Sequence, residues 1–322
     1  MKIIIRSLVI AVVSFGLVLS GFSVHAAEPK KRVGILLWND ALRYHQVLDV
    51  VMKQLNADGF TELNTDIRIK VAQSSKVAAM RISKDFEAQK MDLYAAIGAS
   101  AALAMTREIK TAPVVCSMAY DSERSGIAAS WQGADNVIQV TFPVPVEKLL
   151  TVLKRIVPVK RLAVFYTPGE RNSEVLLKGL ADVEKSMGIR VISVPLVTLE
   201  DVPRSLAYLK GRADAVFLMG SCIVDIALLE IIETANRLGI VTVSYLLDYA
   251  DRGVCLAVGS NAHNIGQRMS RQITMILKGL KPVDVLSSEE QKADVIVNMH
   301  TARRIGLKVP DDVLEEAAKV IY

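Results

Sequence analysis

The sequence is poor in cysteine, in aromatic residues and in any large excess of one charge. Three cysteines in 322 residues are too few for a disulfide framework, and each lies in or beside an apolar run. We therefore expect free thiols at Cys116, Cys222 and Cys255, with a Cys222–Cys255 bridge as the alternative. Aromatic residues make up 5% of the chain, and 39 basic residues stand against 34 acidic ones. Scattered basic residues with few aromatics give no support for nucleic-acid binding.

Signatures of catalysis and of metal binding are missing as well. The sequence has no Gly-x-Ser-x-Gly elbow, no P-loop and no His-Glu-x-x-His pattern. His45 and Asp49 have the i, i+4 spacing of two metal ligands on one helix face, but no third ligand accompanies them. An exposed pair accounts for these two residues better. We therefore expect neither an enzyme nor a bound metal or cofactor.

The first 26 residues have the pattern of a secretory signal peptide. Lys2 and Arg6 form a positive start, residues 8–19 are almost wholly apolar, and small residues surround a predicted cleavage site after Ala26. The apolar run is about a dozen residues, whereas a helix that spans a bilayer needs roughly 20. No cysteine lies near the cleavage site, which argues against a lipid anchor. The pattern predicts an exported, periplasmic protein.

The rest of the chain alternates short apolar runs with helical patterns, and this alternation occurs twice. Each run is continuous in apolar residues, which is typical of strands that are covered on both faces. The first half predicts strands at 33–38, 67–72, 92–98 and 113–119. The second half predicts strands at 161–167, 189–196, 214–220, 240–246, 254–260 and 293–299. Asn261 is predicted to cap a helix that stops at Gly279.

This doubled pattern predicts an α/β protein with two Rossmann-like lobes, each built on a parallel sheet. Right-handed crossovers place the carboxyl ends of the strands at one edge of each sheet, where open α/β sheets bind ligands. We expect the two edges to face each other across a cleft, with a hinge between the lobes. One large sheet, or two unrelated domains, is the alternative.

Residues directly after the strands are the predicted lining of this cleft. From the first half they are Trp38, Asn39, Ala99, Ser100, Tyr120 and Asp121. From the second half they are Glu170, Asn172, Ser173, Gly220, Ser221, Tyr245 and Asp248. Aromatic rings, hydroxyls, amides and helix N-termini suit recognition of a small solute better than they suit a reaction.

Several of these residues fit two roles. At Ser100 the start of a helix offers backbone N–H groups to a carboxylate, but the same segment also fits a tight turn that Ser100 itself caps. Trp38 fits either a platform for a ligand or a cover over the sheet edge. Asp121 fits either a partner for a ligand amine or an ordinary surface loop. For Asn172 and Ser173, capping and ligand contact are compatible.

Several separated motifs resemble the ABC-importer substrate-binding proteins of the tryptophan/tyrosine-binding type. The first is YTPGERNSE at 166–174, which is similar to a Tyr-Asn-Pro-Gly-Glu-x-Asn-Ser stretch of that family. GVCLAVG at 253–259 matches a further segment. The tail agrees through Gly266, ILKGLKP at 276–282, Asn298, Ala302, IGLKVPDDVL at 305–314 and Ala317. The resemblance runs from about residue 33 to 322. It implies a two-lobed type I periplasmic binding protein that closes around a small solute and passes it to a membrane permease.

The sequence departs from that family in four segments. It has Ala99-Ser100-Ala101-Ala102 where the family usually has Thr-Pro-Ala-Ala, and Asp121-Ser122 in place of Asp-Pro. Gly220-Ser221-Cys222 replaces a Thr-Asp-Asn loop, and residues 136–139 replace Asn-x-Thr-Gly. The scaffold carries over on this resemblance, but the aromatic amino-acid ligand does not.

Together these features predict the solute-binding component of an ABC importer that acts as a monomer on a small, amino-acid-like solute. Lobe one is predicted to comprise residues 30–143 and 260–285, and lobe two residues 144–259 and 286–322. One alternative is a periplasmic sensory subunit that presents the same closed state to a membrane receptor or sensor kinase. Another is an exported α/β enzyme, which the lack of a nucleophile–base pair disfavours.

Overall fold

The computed structural model describes residues 29–117, 134–140, 144–285 and 293–322, apart from the side chains at positions 171, 172, 181 and 182. The predicted signal peptide and the predicted site residues Tyr120 and Asp121 lie outside the described residues. Within the described ranges, no helix is both long and apolar enough to cross a bilayer.

Lobe one is built on a five-stranded sheet in which every neighbouring pair of strands is parallel. The strands are β1 (Lys31–Leu37), β2 (Thr65–Val71), β3 (Leu93–Ile97), β4 (Val114–Ser117) and β5 (Val137–Gln139), in the order β2-β1-β3-β4-β5. The helices that follow the first three strands are α1 (Leu42–Ala57), α2 (Lys76–Ala88) and α3 (Ala99–Glu108). The strands confirm the predicted ones to within a few residues, and β5 was not predicted.

Lobe two contains a separate, seven-stranded sheet in the order β12-β11-β10-β9-β8-β6-β7. Its strands are β6 (Arg161–Tyr166), β7 (Arg190–Pro195), β8 (Ala215–Leu218), β9 (Val241–Ser244), β10 (Leu256–Gly259), β11 (Asp294–Asn298) and β12 (Lys319–Ile321). Its helices are α4 (Val146–Ile156), α5 (Arg171–Met187), α6 (Asp201–Leu209), α7 (Cys222–Arg237), α8 (Asp248–Asp251), α10 (Met299–Arg304) and α11 (Asp311–Glu316). Because the described strands form two sheets, the alternative of one large sheet is wrong.

Strand β11 is an exception to the predicted parallel sheets. It pairs antiparallel with β10, with Leu256 opposite Val297 and Gly259 opposite Asp294. The reason lies in the chain path. After β10 the chain leaves lobe two to form a helix on lobe one, so β11 re-enters the sheet from the opposite end. The fold class is nevertheless the predicted one, α/β with two Rossmann-like lobes.

The central strands are covered on both faces, as their continuous apolar sequences predict. For the edge strands β2 and β7 the prediction is wrong, because most of their residues are exposed or half-buried. In β1, Ile35 packs with α1 in one buried cluster, whereas its neighbour Leu36 packs in another cluster formed with α2 and α3. Lobe two has its own core, in which Phe165 and Phe217 are almost completely buried. Each lobe therefore has a separate hydrophobic core, which allows the lobes to move relative to each other without unfolding.

The chain passes between the lobes at three places. It leaves lobe one after β5 and enters lobe two at α4. After β10 it returns to lobe one as helix α9 (Ala262–Leu277), whose buried face packs on α1. It then reaches β11 through a short 3₁₀ helix, Pro282–Asp284. Three crossings of this kind form the connection expected of a hinge between two lobes. The exact residue bounds of the lobes stay a prediction.

The start and end of α9 follow the sequence signals. The side chain of Asn261 accepts a hydrogen bond from the backbone N–H of Asn264 at 2.8 Å, which confirms the predicted cap. The helix ends at Leu277, and Gly279 adopts a φ of +98°, a left-handed conformation that glycine tolerates and other residues rarely adopt.

Candidate ligand-binding site

A cavity of about 620 Å³ lies between the two lobes. Lobe one contributes Trp38, Arg43, Tyr44, Ser74, Ser75, Lys76, Val77, Ala99, Ser100 and Leu103 to its wall. Lobe two contributes Thr167, Pro168, Gly169, Glu170, Gly220, Ser221, Cys222 and Asp225. Pockets for small ligands typically measure about 300–1,000 Å³, so the cavity has room for a molecule of amino-acid size. A solute held there would touch both lobes.

The wall is formed where strands end and helices begin. Helices α2, α3 and α7 all start at the cavity, and the first N–H groups of a helix have no partner within it. The hydroxyl of Ser75 caps α2 by accepting from the N–H of Ala78 at 3.1 Å, and Ser221 caps α7. Uncapped N–H groups and the positive end of the helix dipole favour an anionic ligand group at these ends.

Six of the predicted site residues line this cavity: Trp38, Ala99, Ser100, Glu170, Gly220 and Ser221. Ser100 is the second residue of α3, and the cap position belongs to Gly98 at a φ of +111°. The alternative that Ser100 caps its own turn is therefore wrong. Gly98 also lies close to Trp38. A Cβ atom added at Gly98 would lie 2.8 Å from the Cβ of Trp38, so a larger residue would not fit there. Trp38 is half-buried at the sheet edge, where it packs on the core and also lines the cavity, so its position is compatible with either predicted role.

Two predicted residues hold the loops beside the cavity rather than lining it. The amide of Asn39 donates to the hydroxyl of Ser74 at 2.9 Å, and its carbonyl accepts from the N–H of Ala41. Ser173 is buried, and its hydroxyl accepts from the N–H of Thr167 at 3.2 Å and lies within hydrogen-bond distance of the Thr167 and Glu170 carbonyls. Both side chains are occupied by the turns that position the wall. Asn172 belongs to α5, and its side chain lies outside the described atoms.

Tyr245 and Asp248, the remaining predicted residues, lie behind the cavity wall. Tyr245 is 4% exposed and packs against Gly220, where an added Cβ would lie 3.4 Å from the phenol oxygen. Asp248 begins α8 and faces lobe one, where it meets Arg43. Neither residue forms part of the surface of this cavity, and Asp248 contributes to the contact between the lobes.

An ionic contact between the lobes was not predicted. The guanidinium of Arg43, on lobe one, donates to both carboxylate oxygens of Asp225, on lobe two, at 2.7 and 3.2 Å. It also lies 3.3 Å from Oδ2 of Asp248, and the hydroxyl of Tyr249 donates to Asp225 at 2.6 Å. We call Arg43, Asp225, Asp248 and Tyr249 the interlobe clasp.

The interlobe clasp is largely shielded from water. The side chains of Arg43, Asp225 and Asp248 are only 8%, 20% and 10% exposed. Burial acts to lower the pKa of Arg43, but the phenols and carboxylates around it raise its pKa well above the usual value. Burial raises the pKa of Asp248, against the opposing attraction of Arg43. One guanidinium thus serves two carboxylates, so removal of the arginine would leave two largely buried negative charges without a cationic partner.

A local sequence signal for the clasp does exist. Arg43 lies four residues before Val47, on the face of α1 that is otherwise apolar and buried. A charged residue on such a face needs a partner when it is buried. The partner itself could not be inferred, because Asp225 lies 182 positions further along the chain.

Glu170 and Cys222 form a second polar group in the wall of lobe two. Glu170 accepts a hydrogen bond from the backbone N–H of Cys222 at 3.1 Å. Burial raises the pKa of Glu170, the donors on Cys222 act against this rise, and the nearby carboxylate of Asp225 adds to it. Lys76 reaches across from lobe one, with Nζ 3.5 Å from the carbonyl oxygen of Gly169.

The three cysteines are free thiols in buried or partly buried positions. Cys116, Cys222 and Cys255 are all free, so the alternative Cys222–Cys255 bridge is not formed. Burial raises the pKa of Cys222 to about 11 and that of Cys255 to about 12. Among the described residues, no group of three or more histidine, cysteine, aspartate or glutamate side chains is arranged to hold a metal ion.

Comparison with known proteins places this fold and cavity in a family. The family model described as ABC transporter substrate binding protein matches residues 36–321. A tyrosine-binding protein from Clostridioides difficile (strain R20291) is 21% identical over 289 residues, which cover 88% of this chain and 83% of that protein.

Solved structures give the same result for the fold. A conserved domain protein from Vibrio cholerae O1 biovar El Tor has a TM-score of 0.83 at 23% identity, and the match covers 90% of this chain and 99% of that one. An ABC domain from Streptococcus pneumonia in complex with L-Trp has a TM-score of 0.83 at 18% identity, with 91% and 100% of the two chains covered.

The family match includes the whole cavity wall and nearly all of both sheets. The predicted resemblance and the type I periplasmic binding protein fold are both confirmed. This chain belongs to the family of ABC transporter substrate-binding proteins.

Proposed function

We propose that the protein captures a small, amino-acid-like solute in the cavity between its lobes and delivers it to the membrane permease of an ABC importer. The observation that carries this proposal is the cavity itself, because its wall is contributed by both lobes of a family member. Binding rather than catalysis is the role proposed for it.

The ligand class is proposed from the chemistry of the wall and from the relatives. The relatives include a tyrosine-binding protein and a domain in complex with L-Trp. In this chain Trp38, Tyr44 and Leu103 provide apolar and aromatic surface, and the starts of α2 and α3 offer N–H groups to a carboxylate. An amino acid carries both an apolar part and a carboxylate. Since the wall differs from the usual family residues at positions 99–102 and 220–222, no single amino acid is proposed.

The proposed mechanism is a shift between open and closed arrangements of the lobes. A solute in the cavity makes its full set of contacts only when the two lobes are together, so its binding favours the closed arrangement by that difference in affinity. The permease would then recognise the closed lobes. The two separate cores and three interlobe crossings are compatible with such a hinge movement.

Export is part of the proposal. The signal-peptide pattern of residues 1–26 predicts that protein isolated from a periplasmic fraction begins at Ala27. N-terminal sequencing of that fraction measures this directly, and a retained Met1 on the exported protein would contradict the predicted cleavage.

A variant that fills the cavity tests the proposed site. Ser100→Phe should abolish binding of the solute, because the ring would extend from α3 into the interlobe space, while the fold is retained. Calorimetric titration with the common L-amino acids identifies the ligand in the parent protein, and the same titration is repeated on the variant.

The matched control is Lys84→Phe, which places the same ring on the exposed face of α2. It should bind like the parent. Thermal unfolding confirms that both variants are folded. Unchanged binding by a folded Ser100→Phe protein would show that the solute binds elsewhere.

A further inference from the structure

A second cavity, of about 450 Å³, lies on lobe one. Its wall is formed entirely by α2, by α3 and by the turn directly after α3. No residue of lobe two takes part, so this cavity is complete whether the lobes are together or apart. Its volume lies within the range of about 300–1,000 Å³ that is usual for sites of small ligands. We call it the α2–α3 groove.

The charged residues in the wall of the α2–α3 groove are all basic: Lys76, Arg107 and Lys110. The ammonium of Lys110 donates to the carbonyl oxygen of Thr106 at 2.7 Å, and that of Lys76 lies 3.5 Å from the carbonyl oxygen of Gly169. Within the described part of the chain, the guanidinium of Arg107 has no hydrogen-bond or ion-pair partner. The wall therefore carries three positive charges and no carboxylate of its own.

The groove also has an apolar surface, which an ordinary solvated face of lysines and arginines lacks. Met80 and Leu103 are half-buried and pack on the core that α2 and α3 share, and Ala104 is only 5% exposed. A ligand that covers these side chains removes apolar surface from water, which favours binding. The cations at the same groove favour a negative charge on that ligand.

We propose that the α2–α3 groove binds a small amphipathic anion, with its charged group between Arg107 and Lys110 and its apolar body on the apolar part of the wall. The ligand class is an organic carboxylate, sulfonate or phosphate ester with a hydrocarbon body. Cations and apolar surface are both needed to hold such a molecule, and the groove supplies both within one lobe. The inference does not rest on the proposed function, because the site is separate from the capture of a solute between the lobes.

Two fluorescent probes that differ in one charged group test the proposed ligand class. Anilinonaphthalene sulfonate is an amphipathic anion, and phenylnaphthylamine has the same ring system without the sulfonate. Fluorescence titration of the parent protein should show tighter binding of the sulfonate. Two ion pairs at an exposed site correspond to a preference of roughly three- to thirtyfold, and this preference should fall as salt is added.

A double variant assigns this preference to the groove. Arg107→Met with Lys110→Met removes two charges and keeps apolar side chains of similar length, so most of the preference for the sulfonate should be lost. Arg107→Met alone should give a smaller loss in the same direction. The matched control is Lys53→Met with Arg271→Met, which removes the same pair of residue types from α1 and α9 on the other face of the sheet. The control should keep the preference of the parent.

Thermal unfolding confirms that each variant is folded, and the titrations then decide the inference. If the parent binds both probes equally, or does not bind the sulfonate, the proposed anion site is wrong. If the double variant keeps the full preference, the sulfonate binds elsewhere, because neither Arg107 nor Lys110 lines the cavity between the lobes. Either result would overturn the α2–α3 groove as an anion site and leave the proposed capture of a solute between the lobes unchanged.

Discussion

The variant Arg43→Met is expected to hold its two lobes apart when no solute is bound. Methionine keeps the length and much of the apolar surface of the arginine stem but removes the guanidinium that joins Asp225 and Asp248 to lobe one. In the closed arrangement these two carboxylates would then be buried side by side without a cation. When the lobes separate, water reaches both of them.

The size of the effect follows from the burial of the interlobe clasp. Removal of one partner of a buried ion pair costs about 3–5 kcal/mol, because the other charge stays desolvated. Here the lobes have separate cores, so the molecule avoids this cost by opening rather than by unfolding. We therefore expect the equilibrium to shift towards the open arrangement by about a hundredfold or more, since 1.4 kcal/mol corresponds to a factor of ten.

Small-angle scattering of the ligand-free protein measures this opening as a larger radius of gyration for Arg43→Met than for the parent. Alkylation gives a second readout, because Cys222 lies in the cavity wall between the lobes while Cys116 and Cys255 are buried in the cores. The thiol of Cys222 should react faster in the variant. Equal scattering and equal reactivity would show that the clasp does not hold the lobes together.

A triple variant provides the matched control for this experiment. Arg43→Met combined with Asp225→Asn and Asp248→Asn removes all three charges, so no uncompensated carboxylate remains between the lobes. The two amides carry no charge, so closure of the lobes no longer buries an uncompensated carboxylate. The radius of gyration of the triple variant should therefore return towards that of the parent. If Arg43→Met opens the lobes only because it fits less well between them, the triple variant should be as open as Arg43→Met.

Local periodicity was sufficient to predict most of the fold. The strands are short apolar runs that lie between helices, and runs such as residues 93–97 are buried on both faces. The two ends of α9 were equally predictable, because Asn261 and Gly279 determine where the helix starts and stops through contacts within one or two turns of it. The antiparallel direction of β11 could not be predicted from local periodicity, since it depends on a connection that passes through the other lobe.

The candidate site was predictable only in part, for a related reason. Position after a strand correctly brought Trp38, Ser100 and Glu170 to the cavity, because the topology fixes where those turns lie. It did not show what each side chain does there. Asn39 and Ser173 bond within their own turns, and this depends on loop geometry that the strand pattern does not encode. Long-range partners, such as Asp225 for Arg43, are brought together only by the packing of the lobes.

Gly266→Val should strongly destabilise the core of lobe one. Gly266 belongs to α9 at its contact with α1, where a Cβ would lie 2.5 Å from Cβ of Val50 and 2.9 Å from the carbonyl oxygen of Val47. Carbon atoms normally approach to about 3.5–4.0 Å. The two helices would therefore have to separate, and the neighbours cannot relieve the clash by a change of rotamer because the blocking atoms belong to the backbone or lie next to it.

A graded pair of variants measures this close approach by chemical unfolding. Overpacking of a core typically costs about 1–3 kcal/mol, and Gly266→Ala should fall in this range after a small gain in helix propensity. Gly266→Val adds two further carbons on a branched Cβ that is stiff in a helix, so its loss of stability should exceed that of the alanine variant. Gln267→Val places the same side chain on the exposed face of α9 and should cost less than about 0.7 kcal/mol. Because α9 is the segment that returns from lobe two, separation of α9 from α1 would also loosen the hinge. If both glycine variants are as stable as the parent protein, the tight contact between the two helices is contradicted.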